Sequence, residues 1–296
     1  MIRLSFAGAA AANHGYHFAR IFNGCDAAGW QAQGWGRPDA FIRIPDVRVV
    51  KVWDEDRSAA QTLAKVCHIE KVVDKLSDLM EGVDGIVVPD DGSRRHHRFA
   101  EPLMKACTLP IFIDKPLADN IPDAERIVAL AGSRNIPMMS ASALRYAKEL
   151  EEALPTLPQL GDIVTTVSTS PNELIYYGIH GAELFYTVLG PGVEYVHNIG
   201  EEGREIVKVA YRDGRHAILL VNENTRMGFR LTLYGTKGWR EVTVTDSAYF
   251  YSNMLKNFIK MVQTKKPPFP PAHTLDIIRL LCSAKKSREL CQRVYL

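Results

Sequence analysis

The chain has 296 residues, 46% of them hydrophobic and 24% charged, the composition of an ordinary globular protein with room for two domains and a real core. Its 36 basic residues alternate with 34 acidic ones to leave a net charge of +2, so no basic stripe marks a nucleic-acid partner. No apolar run reaches the ~18 to 20 residues that span a bilayer, and the N-terminus lacks the basic region and long apolar core of a signal peptide. The five cysteines (Cys25, Cys67, Cys107, Cys282 and Cys291) are odd in number and never spaced CxxC, which predicts reduced thiols in the cytoplasm and no metal site.

Residues 2–7 alternate and then turn apolar, predicting a first strand, and Phe18, Ile21 and Phe22 give the next segment a helical face. Between them a dinucleotide-binding protein shows GxGxxG, whose glycines permit a tight turn and close approach of backbone N–H groups to a pyrophosphate. Gly8 holds the first position, Ala10 the second and Asn13 the third, unless the loop is longer and Gly15 takes that role. Asn13 tolerates left-handed geometry better than most residues. His14 and His17 fall at i, i+3, a spacing metal sites also use, but no third ligand is in view, so loop or cofactor-edge packing is expected.

Residues 23–45 hold no steady period and carry several glycines and prolines with Trp30 and Trp35, reading as a lid, a subunit contact or a surface excursion. Residues 47–53 (VRVVKVW) form the next predicted strand and end at Asp54. An acid there accepts from both ribose hydroxyls of an adenosine and repels a 2′-phosphate, favouring NAD over NADP, whereas the nearby Arg57 could hold such a phosphate. Asp54 can equally cap the helix predicted at 58–66. Residues 85–88 (GIVV) read as a buried parallel strand ending in Pro89, Asp90 and Asp91, two aspartates awkward beside a pyrophosphate. The basic cluster 94–98 reads as the solvated start of a helix, or as a source of one cation for a cofactor or substrate anion.

The stretch 110–118 (PIFIDKPLA) begins as a central strand and turns polar where the strand ends, placing Asp114, Lys115 and Pro116 at the ligand crevice of an open α/β sheet. A helix at 122–133 and a strand at 137–141 complete the series. Residues 176–192 (YYGIHGAELFYTVLGPG) then read as a helix stopped by Gly190-Pro191-Gly192, with His180, Glu183 and Thr187 near one another on one side. Strands follow at 163–169, 194–198, 206–211, 216–222 and 230–234, with Asp213-Gly214 as a hairpin turn. After the proline-rich 265–271 comes a terminal helix with Leu275, Ile278, Leu281 and Cys282 on one face.

These two stretches make the chain resemble the Gfo/Idh/MocA family, the relatives of glucose-fructose oxidoreductase and inositol dehydrogenase. The DKP at 114–116 stands in for the family's Glu-Lys-Pro; Gly178, His180 and Glu183 match its glycine, histidine and final acid, and Tyr176 occupies the first aspartate position. The resemblance implies α/β architecture: an N-terminal Rossmann doubly wound parallel sheet over 1–143, and an α/β domain with a large, mostly antiparallel open sheet over 144–296. It also implies that helix 274–294 packs back near the first domain, that one sheet face makes a dimer or tetramer, and that Pro89, Asp90 and His97 line the nicotinamide side. The implied chemistry is NAD(P)-dependent oxidation of a hydroxyl on a sugar, cyclitol or related polyol, without nucleic-acid or membrane partners. In that scheme His180 is the base. Lys115 donates to the substrate oxygen. Asp114 orients Lys115, while Tyr176, Glu183 and Arg145 support catalysis or bind substrate. Gly8, Ala10, Asn13, His14, Asp54, Arg57, Pro89, Asp90, His97, Lys115 and Pro116 form the cofactor side. Two other classes stand beside a dehydrogenase: a lyase or glycosidase that oxidises transiently with bound NAD, and a non-catalytic sensor or scaffold with a degenerate cofactor loop.

Overall fold

Short runs that are apolar at every position bury both faces of a strand, and such runs build the first sheet. The computed structural model describes residues 1–8, 13–34, 41–90 and 95–296. Ala10, Trp35, Asp91 and Arg94 lie outside the described residues. Strands β1 (Ile2–Ala7), β2 (Val47–Trp53), β3 (Lys71–Val72), β4 (Gly85–Val88), β5 (Ile111–Ile113) and β6 (Met138–Met139) pair in the order β3-β2-β1-β4-β5-β6. Every pairing is parallel. All residues of β4 and β5 are buried, as their composition requires. The order reverses between β1 and β4, and ligands of doubly wound sheets bind outside the carboxyl ends of the strands at such a switch point.

Helices α1 (Asn13–Asn23), α2 (Ala27–Ala32), α3 (Arg57–Val66), α4 (His96–Ala106) and α5 (Ile121–Ser133) follow or connect these strands. The segment 23–45 contains α2, capped by Asp26, whose carboxylate accepts from Gly29 N–H. Trp30 is 2% exposed and lies against Tyr16 and His17, with the Arg20 guanidinium 4.5 Å from its ring centroid. It is therefore core, contrary to its expected place in a lid, subunit contact or surface excursion. The cap of α3 is Asp56, which accepts from Ala59 N–H; Asp54 instead accepts from Asp56 N–H at 2.9 Å. The capping alternative for Asp54 is thereby overturned.

In the second sheet the strands alternate buried and half-exposed residues, because only one face is covered by helix. Past α6 (Lys148–Ala153), strands β7 (Ile163–Pro171), β8 (Val193–Asn198), β9 (Arg204–Tyr211), β10 (His216–Asn222), β11 (Phe229–Gly235), β12 (Gly238–Val244) and β13 (Val294–Tyr295) take the order β12-β11-β7-β10-β9-β8-β13. Only β7 with β10 is parallel, so the sheet is mostly antiparallel, as expected. Helix α7 (Gly178–Leu189) packs on its covered face. It lies close because Gly181 has no side chain: a Cβ there would stand 2.7 Å from Leu219 Cδ1 and 3.3 Å from Ser168 Oγ. Helices α8 (Ser247–Thr264) and α9 (Pro271–Leu290) end the chain with β13.

The chain divides into two compact units. The first comprises Met1–Ala118, Glu125–Ser140 and Tyr251–Pro271; the second comprises Asp119–Ala124, Ala141–Phe250 and Ala272–Leu296. Most of α8 belongs to the first unit. Helix α9 is bonded within the second unit, where Asp276 accepts from Tyr186 and Ser287 from Asn198 N–H. No helix among the described residues is long and apolar enough to cross a membrane.

Candidate active site

In the first unit the candidate residues gather at the carboxyl ends of the parallel strands. Gly8 follows β1 with φ +71°, and a Cβ on it would meet the Phe99 ring at 2.4 Å. Both the left-handed backbone and the crowding require glycine here. Asp54 ends β2, half-buried, while the exposed Arg57 pairs with Asp74. Pro89 and Asp90 follow β4, and Asp114 and Lys115 follow β5 at 1% and 3% exposure, the Lys115–Pro116 peptide being cis.

The Asp114 carboxylate accepts from His14 Nδ1 at 2.5 Å, and Tyr251 Oη lies 3.2 Å from His14 Nε2. Burial pushes the Asp114 carboxyl up, but His14, through charge and hydrogen bond, and then Lys115 and His96 outweigh it and hold the group below the usual carboxylate range. Asp114 is therefore ionised beside Lys115, with His14 as an anchor that the sequence did not reveal. His17, one turn along α1, stacks on Tyr251 and is pushed down to about 3 by burial, aided by Arg20 and His14. It stays neutral at ordinary pH.

The electrostatic difficulty at Asp90 has a local answer. Arg95 clamps the buried Asp90 carboxylate with two bonds, Nε to Oδ2 at 3.1 Å and an Nη2 to Oδ1 at 2.6 Å. The hydrogen bond to Asp90 raises the Arg95 pKa. Among the described residues of the basic cluster, Arg95 meets an anion, and that anion is the protein's own. His96 rather than His97 is the fully buried histidine at the start of α4; its Nε2 lies 2.6 Å from Asp90 O and its Nδ1 3.2 Å from Leu117 O. It ties the turn after β4 to the turn carrying Lys115. His97 is half-buried, and Asn13 is exposed at the first position of α1.

In the second unit α7 carries Glu183, 1% exposed, and His180, half-buried one turn earlier. Arg145 Nε donates to Glu183 Oε2 at 2.6 Å, and Ser142 N–H donates to Glu183 Oε1 at 3.2 Å. Burial pushes the Glu183 carboxyl up, and Arg145 and Ser142 counter only part of that rise. Ser142 Oγ lies 2.6 Å from His180 Nδ1. The rings of Tyr177 and Phe229 stand edge-on to the imidazole, with centroids 5.3 and 5.1 Å away. Tyr176 packs against Tyr177 at 5.3 Å, and Thr187 donates to Glu183 O. Ser142 was not legible beforehand; its only sequence signal is the arginine–aromatic pair, Arg145-Tyr146, three residues on.

Residues 27–141 match the model of the Gfo/Idh/MocA group, described as an oxidoreductase family with an NAD-binding Rossmann fold. The curated Salmonella typhimurium protein "Putative oxidoreductase YceM" is 29% identical over 155 residues, a match covering 50% of this chain but only 43% of that relative. Among solved structures, myo-inositol dehydrogenase from Lactobacillus casei, in complex with NAD(H) and myo-inositol, superposes with a TM-score of 0.82 at 15% identity, over 100% of this chain and 97% of that one. Scyllo-inositol dehydrogenase from the same organism, with NAD(H) and scyllo-inositol, gives 0.80 at 15% identity, over 100% and 99%. At such identities the likeness fixes the fold.

Proposed function

We propose that the chain, whose residues 27–141 match the NAD-binding Rossmann model of the Gfo/Idh/MocA oxidoreductase family, belongs to that family and is an NAD-dependent dehydrogenase acting on a hydroxyl of a sugar, cyclitol or related polyol. The observation that carries this reading is Lys115, buried at the carboxyl end of β5 beside an ionised Asp114. The fold likeness to enzymes solved with NAD(H) and inositols supports the cofactor and substrate classes.

The described residues fit a dinucleotide. Gly8 gives the left-handed backbone after β1 that a tight phosphate-binding turn uses, and Asp54 follows β2, half-exposed, where a ribose would lie. Arg57 is engaged by Asp74, which favours NAD over NADP. When bound, the nicotinamide supplies the hydride acceptor. The protein's own part is proton and charge handling: Lys115 donates to the substrate oxygen and His180 takes the hydroxyl proton. Glu183 and Arg145 hold the turn that seats His180, and Tyr176 offers a phenol to neighbouring hydroxyls. The first unit is assigned to cofactor and the second to substrate and assembly.

Half-exposed Val167, Ile218 and Leu220, with exposed Ile206, Tyr234 and Trp239, lie on the uncovered face of the second sheet, which supports a homodimer or homotetramer built on that face. All five cysteines are free thiols, which supports a reducing, cytoplasmic setting.

The test is thermal unfolding with NAD, NADH, NADP and NADPH, followed by a polyol screen. A ligand at 100 times its dissociation constant adds about 2.7 kcal/mol. Stabilisation by the NAD pair and NADH production with a polyol, both expected, support the reading. No change in melting temperature with any dinucleotide, in protein free of carried-over cofactor, moves the chain to a sensor or scaffold. Turnover without net NADH moves it to a redox-assisted lyase or glycosidase. Lys115→Ala is expected to lower kcat by on the order of 100-fold or more while the stabilisation by NAD persists.

A further inference from the structure

A histidine that takes a proton at one ring nitrogen needs the other nitrogen held, because the partner of the second nitrogen decides both tautomer and ring orientation. In the second unit that partner is Ser142. It is 0% exposed and opens the single turn Ala143–Tyr146, where its Oγ accepts from Leu144 N–H at 3.1 Å. The same Oγ lies 2.6 Å from His180 Nδ1. Its backbone N–H is fixed on Glu183, one turn beyond His180 on α7. The serine is thus pinned through backbone, cap and carboxylate before it meets the imidazole, and Tyr177 and Phe229 limit rotation of that ring from two sides.

We propose that Ser142 is the positioning residue of His180, accepting a hydrogen bond from Nδ1–H so that Nε2 presents its lone pair to the substrate hydroxyl. A hydroxyl oxygen has two acceptor sites. Leu144 N–H occupies one and the second receives Nδ1–H. This inference rests on the dehydrogenase reading for its chemistry, though not for its geometry. In the oxidation direction the carbinol C–H bond would break with its electron pair leaving as hydride, for which a bound oxidised nicotinamide would be the acceptor. The hydroxyl O–H bond breaks and its proton forms a bond to Nε2, giving an imidazolium and a carbonyl. The Nδ1–H to Oγ bond is the same before and after, so the ring need not turn. In reduction the proton returns along the same line. A neutral serine orients the ring without adding a negative charge beside it, as a carboxylate partner would.

The test compares wild type, Ser142→Ala and Ser142→Thr, which keeps both hydroxyl and cap. Ring 15N correlation spectra of His180 in cofactor-free protein, assigned with His180→Gln, read the tautomer directly. The expected result is a protonated Nδ1 in wild type and Ser142→Thr, and loss of that single tautomer in Ser142→Ala. With NAD and a polyol substrate, Ser142→Ala should lose about 10- to 100-fold in kcat with KM changed less than about 3-fold, while Ser142→Thr retains most of kcat. A wild-type His180 protonated at Nε2 alone, an unaltered kcat in Ser142→Ala, or equal damage in Ser142→Thr would overturn the proposal. If no polyol is oxidised, the dehydrogenase reading fails, and the tautomer spectra still decide the role of Ser142. If Ser142→Ala does not fold, the wild-type and Ser142→Thr spectra carry the decision.

Discussion

Two carboxylates, Asp114 in the first unit and Glu183 in the second, are each 1% exposed and each held by a basic side chain, yet their acidities move in opposite directions. Asp114 has three cationic or potentially cationic neighbours, His14, Lys115 and His96, and their sum overcomes burial. Glu183 has the Arg145 guanidinium and one backbone N–H, and burial prevails. Burial alone therefore does not set the charge of a site; the number of positive groups brought to it does. The difference also divides the work. Asp114 is held as a carboxylate beside the lysine at the strand end, whereas Glu183 bonds Arg145 and Ser142 N–H and so fixes the turn that carries Ser142.

Breaking each clasp from its basic side measures how much each unit relies on it. Arg145→Ala leaves Glu183 buried without its guanidinium and should cost about 3 to 5 kcal/mol in urea unfolding. The double variant Arg145→Met with Glu183→Leu should recover most of that loss, because no charge remains to be buried. If Arg145→Ala is as stable as wild type, the clasp is ornamental and the account of the second unit is wrong.

The matching experiment in the first unit is gentler. His14→Ala removes the hydrogen-bond partner of Asp114, takes away the nitrogen that Tyr251 Oη meets, and should cost about 1 to 3 kcal/mol. His14→Asn, which can still donate to Asp114, should restore part of it. A loss as large as that of Arg145→Ala would mean that Lys115 and His96 do not share the load on Asp114.

These clasps were the part of the molecule that sequence did not disclose. The strands β4 and β5 were legible because GIVV and IFI are apolar at every position, which only a strand buried on both faces tolerates. DKP and the helix bearing His180 were legible as local stretches. Strand β12 (GWREVTV) escaped notice because it is an edge strand whose outward positions carry Trp239, Glu241 and Thr243. Helix α2 has only six residues, too few for a period. The His14–Asp114 bond joins residues 100 apart and the Ser142–His180 bond residues 38 apart, so nothing in local spacing points to either. His96 and His97 are neighbours in sequence, and only the rotational phase of α4 decides which one is buried.

The smallest effect is the most discriminating, because it tests the direction in which folding moves each carboxyl. A carboxyl depressed on folding binds its proton less tightly in the native state, so Asp114 contributes stability that is complete above the unfolded value of ~3.9 and lost as pH falls through the lower native value. A carboxyl raised on folding does the opposite. The native state binds the Glu183 proton more tightly, and stability falls as pH rises from the unfolded value of ~4.3 to the raised native one. A tenfold change in proton affinity between the unfolded and native chain is worth about 1.4 kcal/mol. Urea unfolding from about pH 3 to pH 8 should therefore show Asp114→Asn removing part of the loss on the acid side, while Glu183→Gln removes a decline that begins above pH ~4.3. Profiles that stay parallel to wild type in both variants would mean the two carboxylates titrate alike in the folded and unfolded chain. The contrast between the two sites would then have no thermodynamic content.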